Sequence, residues 1–228
     1  MRKRPPTDVT TPRDLYTGRA GLYSVWMKLF RHQQALRSLF EISGVLRSDL
    51  RILDAGCGSG ATTLALISAL RHRGYDYRSI DGFDLTPAML TRFRDAIRGL
   101  HLERVELEEA NVLTLQEQLP DSWTSYDLVV CTSMLEYLPP GTLEKALASL
   151  RQRLNRDGAL LVVVTKKTTL AKVMVEMAWS ARTYGADELR SALRSAGFSH
   201  VVFHRFPARF FWMNTTNHVV TSGDGAVF

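Results

Sequence analysis

The residues best suited to chemistry in this chain stand in one run, Leu53-Asp54-Ala55-Gly56-Cys57-Gly58-Ser59-Gly60. Arg51-Ile52-Leu53-Asp54 reads as a strand that enters glycine at every second position, and a helical pattern opens at Ala61. Glycine permits positive φ in a turn and lets a ligand lie against bare backbone. The helix start that follows leaves N–H groups free to bind it. One glycine would serve a plain strand-to-helix turn, so three point to a binding loop. Gly56-x-Gly58-x-x-Ala61 also satisfies the loose dinucleotide fingerprint, a weak signal by itself. Asp54, two residues ahead of the first glycine, tilts the choice. A carboxylate there repels a pyrophosphate and suits a ligand with an ammonium and a cationic sulfur.

Such a loop needs a strand to deliver it and neighbours to complete it, and the chain supplies both by alternation. After the strand at 51–54 come a helix from Ala61 to Arg71, a strand from Ser79 to Asp84 and a helix from Pro87 to Leu100, with Pro87 in its first turn. Val105 to Val112 reads as a third strand and Tyr126 to Cys131 as a buried fourth. A helix from Thr142 to Leu154, a turn at Asn155-Arg156-Asp157-Gly158 and a fifth strand from Ala159 to Thr165 follow. Ala186 to Ala196 is a helix closed by Gly197, Phe198 to His204 a sixth strand, and His218 to Thr221 a seventh. This order predicts an α/β fold, a Rossmann-like three-layer sandwich with a mostly parallel seven-stranded sheet and helices on both faces. Ligands of such sheets bind at the carboxyl ends of the strands, near the point where strand order reverses.

With these motifs in place, the chain resembles the class I S-adenosylmethionine (SAM)-dependent methyltransferases, over about residues 50 to 205. The acidic residue followed by Gly-x-Gly-x-Gly stands here as Asp54-Ala55-Gly56-Cys57-Gly58-Ser59-Gly60. Gly82-Phe83-Asp84-Leu85-Thr86-Pro87-Ala88-Met89 is similar to the family's second motif, in which an acidic residue takes both ribose hydroxyls. Asp84 alone could equally cap the next helix. Its place 24 residues after Gly60 supports the ribose role. The third motif appears as Glu109-Ala110-Asn111-Val112, with Asn111 where the family has an aspartate facing the adenine amine. Tyr126 to Leu138 resembles the strand and loop beside the methionine part of the cofactor. The resemblance implies SAM as cofactor, held by Asp54, Ala55, Gly56, Cys57, Gly58, Asp84, Leu85, Met89, Asn111, Val112 and Cys131, and no metal. Methyl transfer from a sulfonium is an in-line displacement, so the protein must mainly align the groups and exclude water. A base matters only when the acceptor has a proton to lose. Glu136, just after the fourth strand with Tyr137 beside it, is the candidate; its alternative is a surface or capping carboxylate.

The flanks are less standard. Leu22, Val25, Leu29, Leu36, Leu39 and Phe40 predict helix within 15–47. Tyr16, Ala20 and Tyr23 are similar to a region of quinone-type C-methyltransferases that leads into a lid, which implies cofactor contacts for Tyr16 and Tyr23; ordinary packing is the other reading. Between the fifth strand and the next helix, Leu170, Val173, Met174 and Met177 fall on one helical face, with Lys166, Lys167 and Lys172 elsewhere. Adaptable thioethers suit an apolar substrate. The chain thus divides into an N-terminal arm and helical lid (1–50) and a SAM-binding core (51–228) with an insert at about 166–183.

Charge narrows the partners without choosing one. Residues 1–50 carry +5, 51–157 carry −3 and 158–228 carry +4. A basic surface at the two ends fits a solvated face, nucleic acid or an anionic membrane. No RNA-binding module is recognisable, and Leu138-Pro139-Pro140 followed by Gly141 misses the Asn/Asp-Pro-Pro-aromatic signature. No apolar core follows Arg2-Lys3-Arg4, and Cys57 and Cys131 lack partners at metal-ligand spacing, so the expectation is a reduced, cytoplasmic protein, with the inner face of a membrane as an alternative site of contact. The expected acceptor is a small apolar molecule, such as a lipid or quinone-like ring. RNA or protein acceptors and a nucleotide-cofactor oxidoreductase are the competing readings. The oxidoreductase lacks a Tyr-x-x-x-Lys pair where one is expected.

Overall fold

A computed structural model describes residues 32–168 and 181–223. Tyr16 and Tyr23, most of the arm, and the apolar face at 170–177 lie outside these residues.

Helix α1 (His32–Ile42) comes first, then β1 (Leu50–Ala55), α2 (Ala61–His72), β2 (Tyr77–Asp84), α3 (Pro87–Gly99) and β3 (Val105–Glu109). A 3-10 turn at Val112–Thr114 leads into the short α4 (Leu115–Gln118) and then β4 (Tyr126–Thr132). After a second 3-10 turn, Leu135–Tyr137, come α5 (Leu143–Arg151), β5 (Leu154–Thr165), α6 (Ala186–Ser195) and β6 (His200–His204). The short α7 (Phe211–Thr216) and β7 (Asn217–Gly223) close the described chain.

The sheet has the strand order β3-β2-β1-β4-β5-β7-β6. The first five strands run parallel, and β7 lies antiparallel between β5 and β6. Order reverses between β1 and β4, where Ile52 to Ala55 pair with Leu128 to Cys131. This is the expected seven-stranded, mostly parallel, Rossmann-like sheet.

Central strands are apolar on both faces because helices cover both. Leu53, Ala55, Val129, Cys131, Leu160 and Val162 turn to one side, against Ala146, Leu147 and Leu150 of α5 and Leu189, Ala192 and Leu193 of α6. Ile52, Leu128, Val130, Leu161 and Val163 turn to the other, against Ala65, Leu66, Ala69 and Leu70 of α2. Ala35, Leu36, Leu39 and Phe40 of α1 join that second cluster, so α1 is packed into the fold by its own apolar stripe.

Among the boundaries that differ from the sequence reading, two have a visible local cause. The third strand ends at Glu109 because the Asn111 side chain accepts from the Leu113 N–H at 3.0 Å and starts a 3-10 turn. The turn at 155–158 is a bulge inside a longer β5. Leu154 pairs with Tyr126, and pairing resumes only at Ala159 with Leu128. Asn155 Oδ1 accepts from the Asp157 N–H at 3.0 Å, which is the local bond that competes with the ladder.

Candidate functional site

The carboxyl edge of the sheet encloses a cleft of about 240 Å³ at the reversal point. Each wall is the end of an element. The loop after β1 gives Gly56, Cys57, Gly58 and Ser59, and α2 gives Ala61 and Thr62. Phe83, Asp84, Leu85 and Thr86 come from the end of β2, and Met89 from α3. Ala110, Asn111, Val112 and Leu113 follow β3. Thr132, Ser133, Met134, Tyr137, Leu138 and Pro139 follow β4, and His32 reaches in from α1.

The glycine loop is fixed by its neighbours. The N–H groups of Gly56 and Cys57 both donate to the Phe83 carbonyl at 2.9 Å. Gly56 has φ +72°, and an added Cβ would stand 2.5 Å from the Met134 side chain. Gly58 has φ +54° and open space where a side chain would be, so a ligand can rest on the backbone there.

Asp84 joins the loop to the second strand. Its Oδ2 accepts from the Gly58 N–H at 2.9 Å and its Oδ1 from the Thr86 N–H at 2.8 Å. Each carboxylate oxygen has a second lone pair, so two acceptor positions are left for a ligand. Burial raises its pKa, which the two backbone donors oppose. Asn111 keeps one lone pair on Oδ1 beyond the bond to Leu113 and lines the same cleft.

Asp54 lies behind the loop, outside the lining of the cleft, and is 1 % exposed. Thr63 donates to its Oδ2 at 2.5 Å, and Oδ1 has no partner among the described residues. Desolvation raises the carboxyl to about 7. Ala55 and Cys131 are likewise buried in strands behind the cleft wall. The Cys57 side chain packs with Leu90 and Phe93. Burial pushes both thiols well up, which keeps them as inert thiols, and both are free.

Glu136 is also off the cleft. It is 2 % exposed, and its Oε1 accepts from the Thr165 N–H at 2.8 Å and the Thr165 hydroxyl at 3.0 Å. Its Oε2 has no partner among the described residues, and desolvation raises the carboxyl to about 7. The contacts tie the turn after β4 to the end of β5, and its backbone carbonyl accepts from the Arg182 N–H at 2.7 Å. A carboxyl raised this way is protonated in the fold at pH values where the unfolded chain has lost the proton. Its stabilising share is present at low pH and lost as pH rises from about 4.5 through about 7. Glu136→Gln is therefore expected to flatten the fall in melting temperature between pH 5 and 8. A slope equal to that of the unchanged chain counts against this.

Cleft residues with no individual role in the sequence reading include His32, Thr62, Thr132 and Ser133. The hydroxyls of Thr62 and Thr132 meet at 2.5 Å, joining the start of α2 to the end of β4. Ser133 holds φ +53°, a left-handed conformation costing about 1 kcal/mol in a residue other than glycine, and its N–H donates to Val163 O at 2.9 Å. Its position at a strand end beside the reversal point is a signal of strain at a site, visible only in the fold. His32 lies far from every motif, on a helix read only as part of an amphipathic stretch.

Comparison with known proteins supports this geometry. A family model described as a methyltransferase domain matches residues 53–160. Carboxy-S-adenosyl-L-methionine synthase of Dichelobacter nodosus is 28 % identical over 139 residues, covering 59 % of this chain and 54 % of that protein. Malonyl-[acyl-carrier protein] O-methyltransferase of Geobacter sulfurreducens is 30 % identical over 184 residues, covering 75 % and 63 %. The chain thus matches about half to three fifths of the length of these curated relatives. Among solved structures, magnesium protoporphyrin IX methyltransferase from Synechocystis PCC 6803 with bound SAH superposes with a TM-score of 0.68 at 18 % identity, over 92 % of this chain and 96 % of that one. With its alternating-glycine loop at a β1/β4 reversal point, the chain has the fold of the class I SAM-dependent methyltransferases and matches the methyltransferase-domain family over residues 53–160.

Proposed function

We propose that the chain transfers a methyl group from SAM to a small, mostly apolar acceptor. The observation that carries this is the character of the cleft. Asp84 is the one charged side chain among its described lining residues, and Met134, Leu138 and Pro139 bring an apolar wall to the end of β4. The fit to SAM rests on the same residues. Gly58 leaves bare backbone for a ligand, Asp84 has acceptor capacity for two hydroxyls, and Asp54 keeps an unpartnered oxygen close behind the loop.

In this reading Asp84 holds the ribose, and Asn111 with the Val112 backbone meets the adenine edge. Leu85 and Met89 flank the site, and the loop from Ala55 to Gly58 lies under the amino acid end. Asp54 and Cys131 shape that end from behind. Bound SAM supplies a methyl group already activated by its sulfonium charge. The protein's share is to orient the acceptor and to keep water out, which the apolar lining favours. Glu136 acts by holding the turn that carries Tyr137 and Leu138, which replaces its reading as a base. Relatives that act on small or carrier-bound molecules, such as the malonyl-carrier O-methyltransferase, agree with a small acceptor. Exposed Lys167, Arg205 and Arg209 suit contact with anionic headgroups should the acceptor be a lipid. Among the described residues no helix is long and apolar enough to cross a membrane.

The test is transfer of labelled methyl from SAM into a cell extract, followed by partition. Label in the organic-soluble fraction is the expected result. Label confined to acid-precipitable material would replace this reading with an RNA or protein acceptor.

A further inference from the structure

His32 enters the cleft from the first turn of α1 and is 8 % exposed, yet the reading above gives it no role. The lining residues sort by chemistry. Gly58, Asp84 and Asn111 hang from the edge of the sheet and serve the cofactor. Met134, Leu138 and Pro139 are apolar. Asp84 and His32 remain as the described lining side chains that offer a carboxylate or imidazole lone pair. Both oxygens of Asp84 already hold backbone N–H groups. Glu136 is turned to Thr165 and away from the cleft. The His32 imidazole has no hydrogen-bond partner among the described residues, and burial lowers its pKa to about 4. It is neutral at physiological pH, with one ring nitrogen carrying a free lone pair.

We propose that His32 binds the methyl acceptor through an acceptor O–H or N–H and receives that proton during transfer. The acceptor is then a protic molecule, a hydroxyl, enol or amine on an otherwise apolar body. This inference rests on the methyltransferase reading of the cleft. The bookkeeping closes without a further reagent. The acceptor oxygen or nitrogen bonds to the methyl carbon, and the methyl–sulfur bond breaks with its electron pair staying on sulfur. The proton leaves the acceptor for the His32 ring, so the positive charge passes from sulfur to an imidazolium. Water takes the proton once product has left, and the low basicity of a buried imidazole favours that release.

The experiment compares the unchanged chain with His32→Ala and His32→Gln. It measures SAM affinity by calorimetry, melting temperature, and transfer of labelled methyl into the organic-soluble fraction of a cell extract. Both variants are expected to bind SAM within about threefold of the unchanged chain and to melt at a similar temperature. Transfer is expected to fall by about a hundredfold or more, the scale of a lost general base. Added imidazole is expected to restore part of it to His32→Ala, which a structural role would not predict. Transfer at the unchanged rate in both variants overturns the proposal. So does a loss of SAM affinity that matches the loss of transfer, because His32 would then serve the cofactor. Absence of SAM binding by the unchanged chain is a separate result, and it overturns the methyltransferase reading itself.

Discussion

Replacing Asp84 with alanine is expected to raise the dissociation constant for SAM about 10- to 100-fold, or roughly 1–3 kcal/mol. The carboxylate does two jobs in the structure. It accepts from the N–H groups of Gly58 and Thr86, which draws the glycine loop against the end of β2. It also keeps acceptor capacity directed at the cleft. Alanine removes both, so loop and ligand loosen together. Asp84→Asn separates the two. The asparagine retains one oxygen, but its NH₂ must oppose one of the two backbone N–H donors. Affinity is then expected to fall nearly as far, although the side chain has the same shape. Calorimetry on both variants checks this, alongside melting temperatures without ligand. The cleft is open to water, which can satisfy the freed N–H groups, so those temperatures are expected to move little. SAM affinity that stays unchanged in Asp84→Ala would sink the ribose assignment.

The second large effect is expected at Gly60, and it falls on stability. Gly60 holds φ +88° at the start of α2, and an added Cβ would run into the ring of Phe93. That ring is fully buried against Cys57 and Leu90, so making way for a Cβ means repacking this cluster. A left-handed alanine costs about 1 kcal/mol, and overpacking a closed core adds about 1–3 kcal/mol. Gly60→Ala is thus expected to lose about 2–4 kcal/mol, a drop of roughly 5–15 °C in melting temperature for a chain this long. Gly58 makes the contrast. It too has positive φ, but its missing side chain faces open space in the cleft. Gly58→Ala is expected to cost only about 1 kcal/mol of stability while obstructing the ligand. Thermal melts and calorimetry on the two variants should therefore separate, Gly60→Ala failing mainly in the first and Gly58→Ala mainly in the second. Equal losses of stability would mean that Phe93 can move aside.

Much of this molecule is set by local pattern. The alternating glycines after an apolar strand define the binding loop, because positive φ and bare backbone are demands on single residues that few other side chains can meet. The two-sided apolar runs of β1, β4 and β5 require helices on both faces, and alternation of strand and helix then yields a mostly parallel sheet. Asp84 and Asn111 could be placed by their resemblance to family motifs at strand ends, and the structure sets Asp84 as the last residue of β2 and Asn111 two residues past β3. What the sequence could not decide is which side chains from distant segments share one space. Glu136 stands in a motif that reads as an active-site loop, yet the register of β4 against β5 delivers it to Thr165 and buries it off the cleft. His32 stands in an unremarked helix, yet packing of α1 on α2 carries it into the cleft. Cys131 and Asp54 were placed in the right strands, but whether a strand residue faces the ligand or lies behind the wall depends on how the next loop closes over it. Such outcomes depend on long-range packing, in which the same local sequence gives a different environment when a neighbouring strand shifts by one residue.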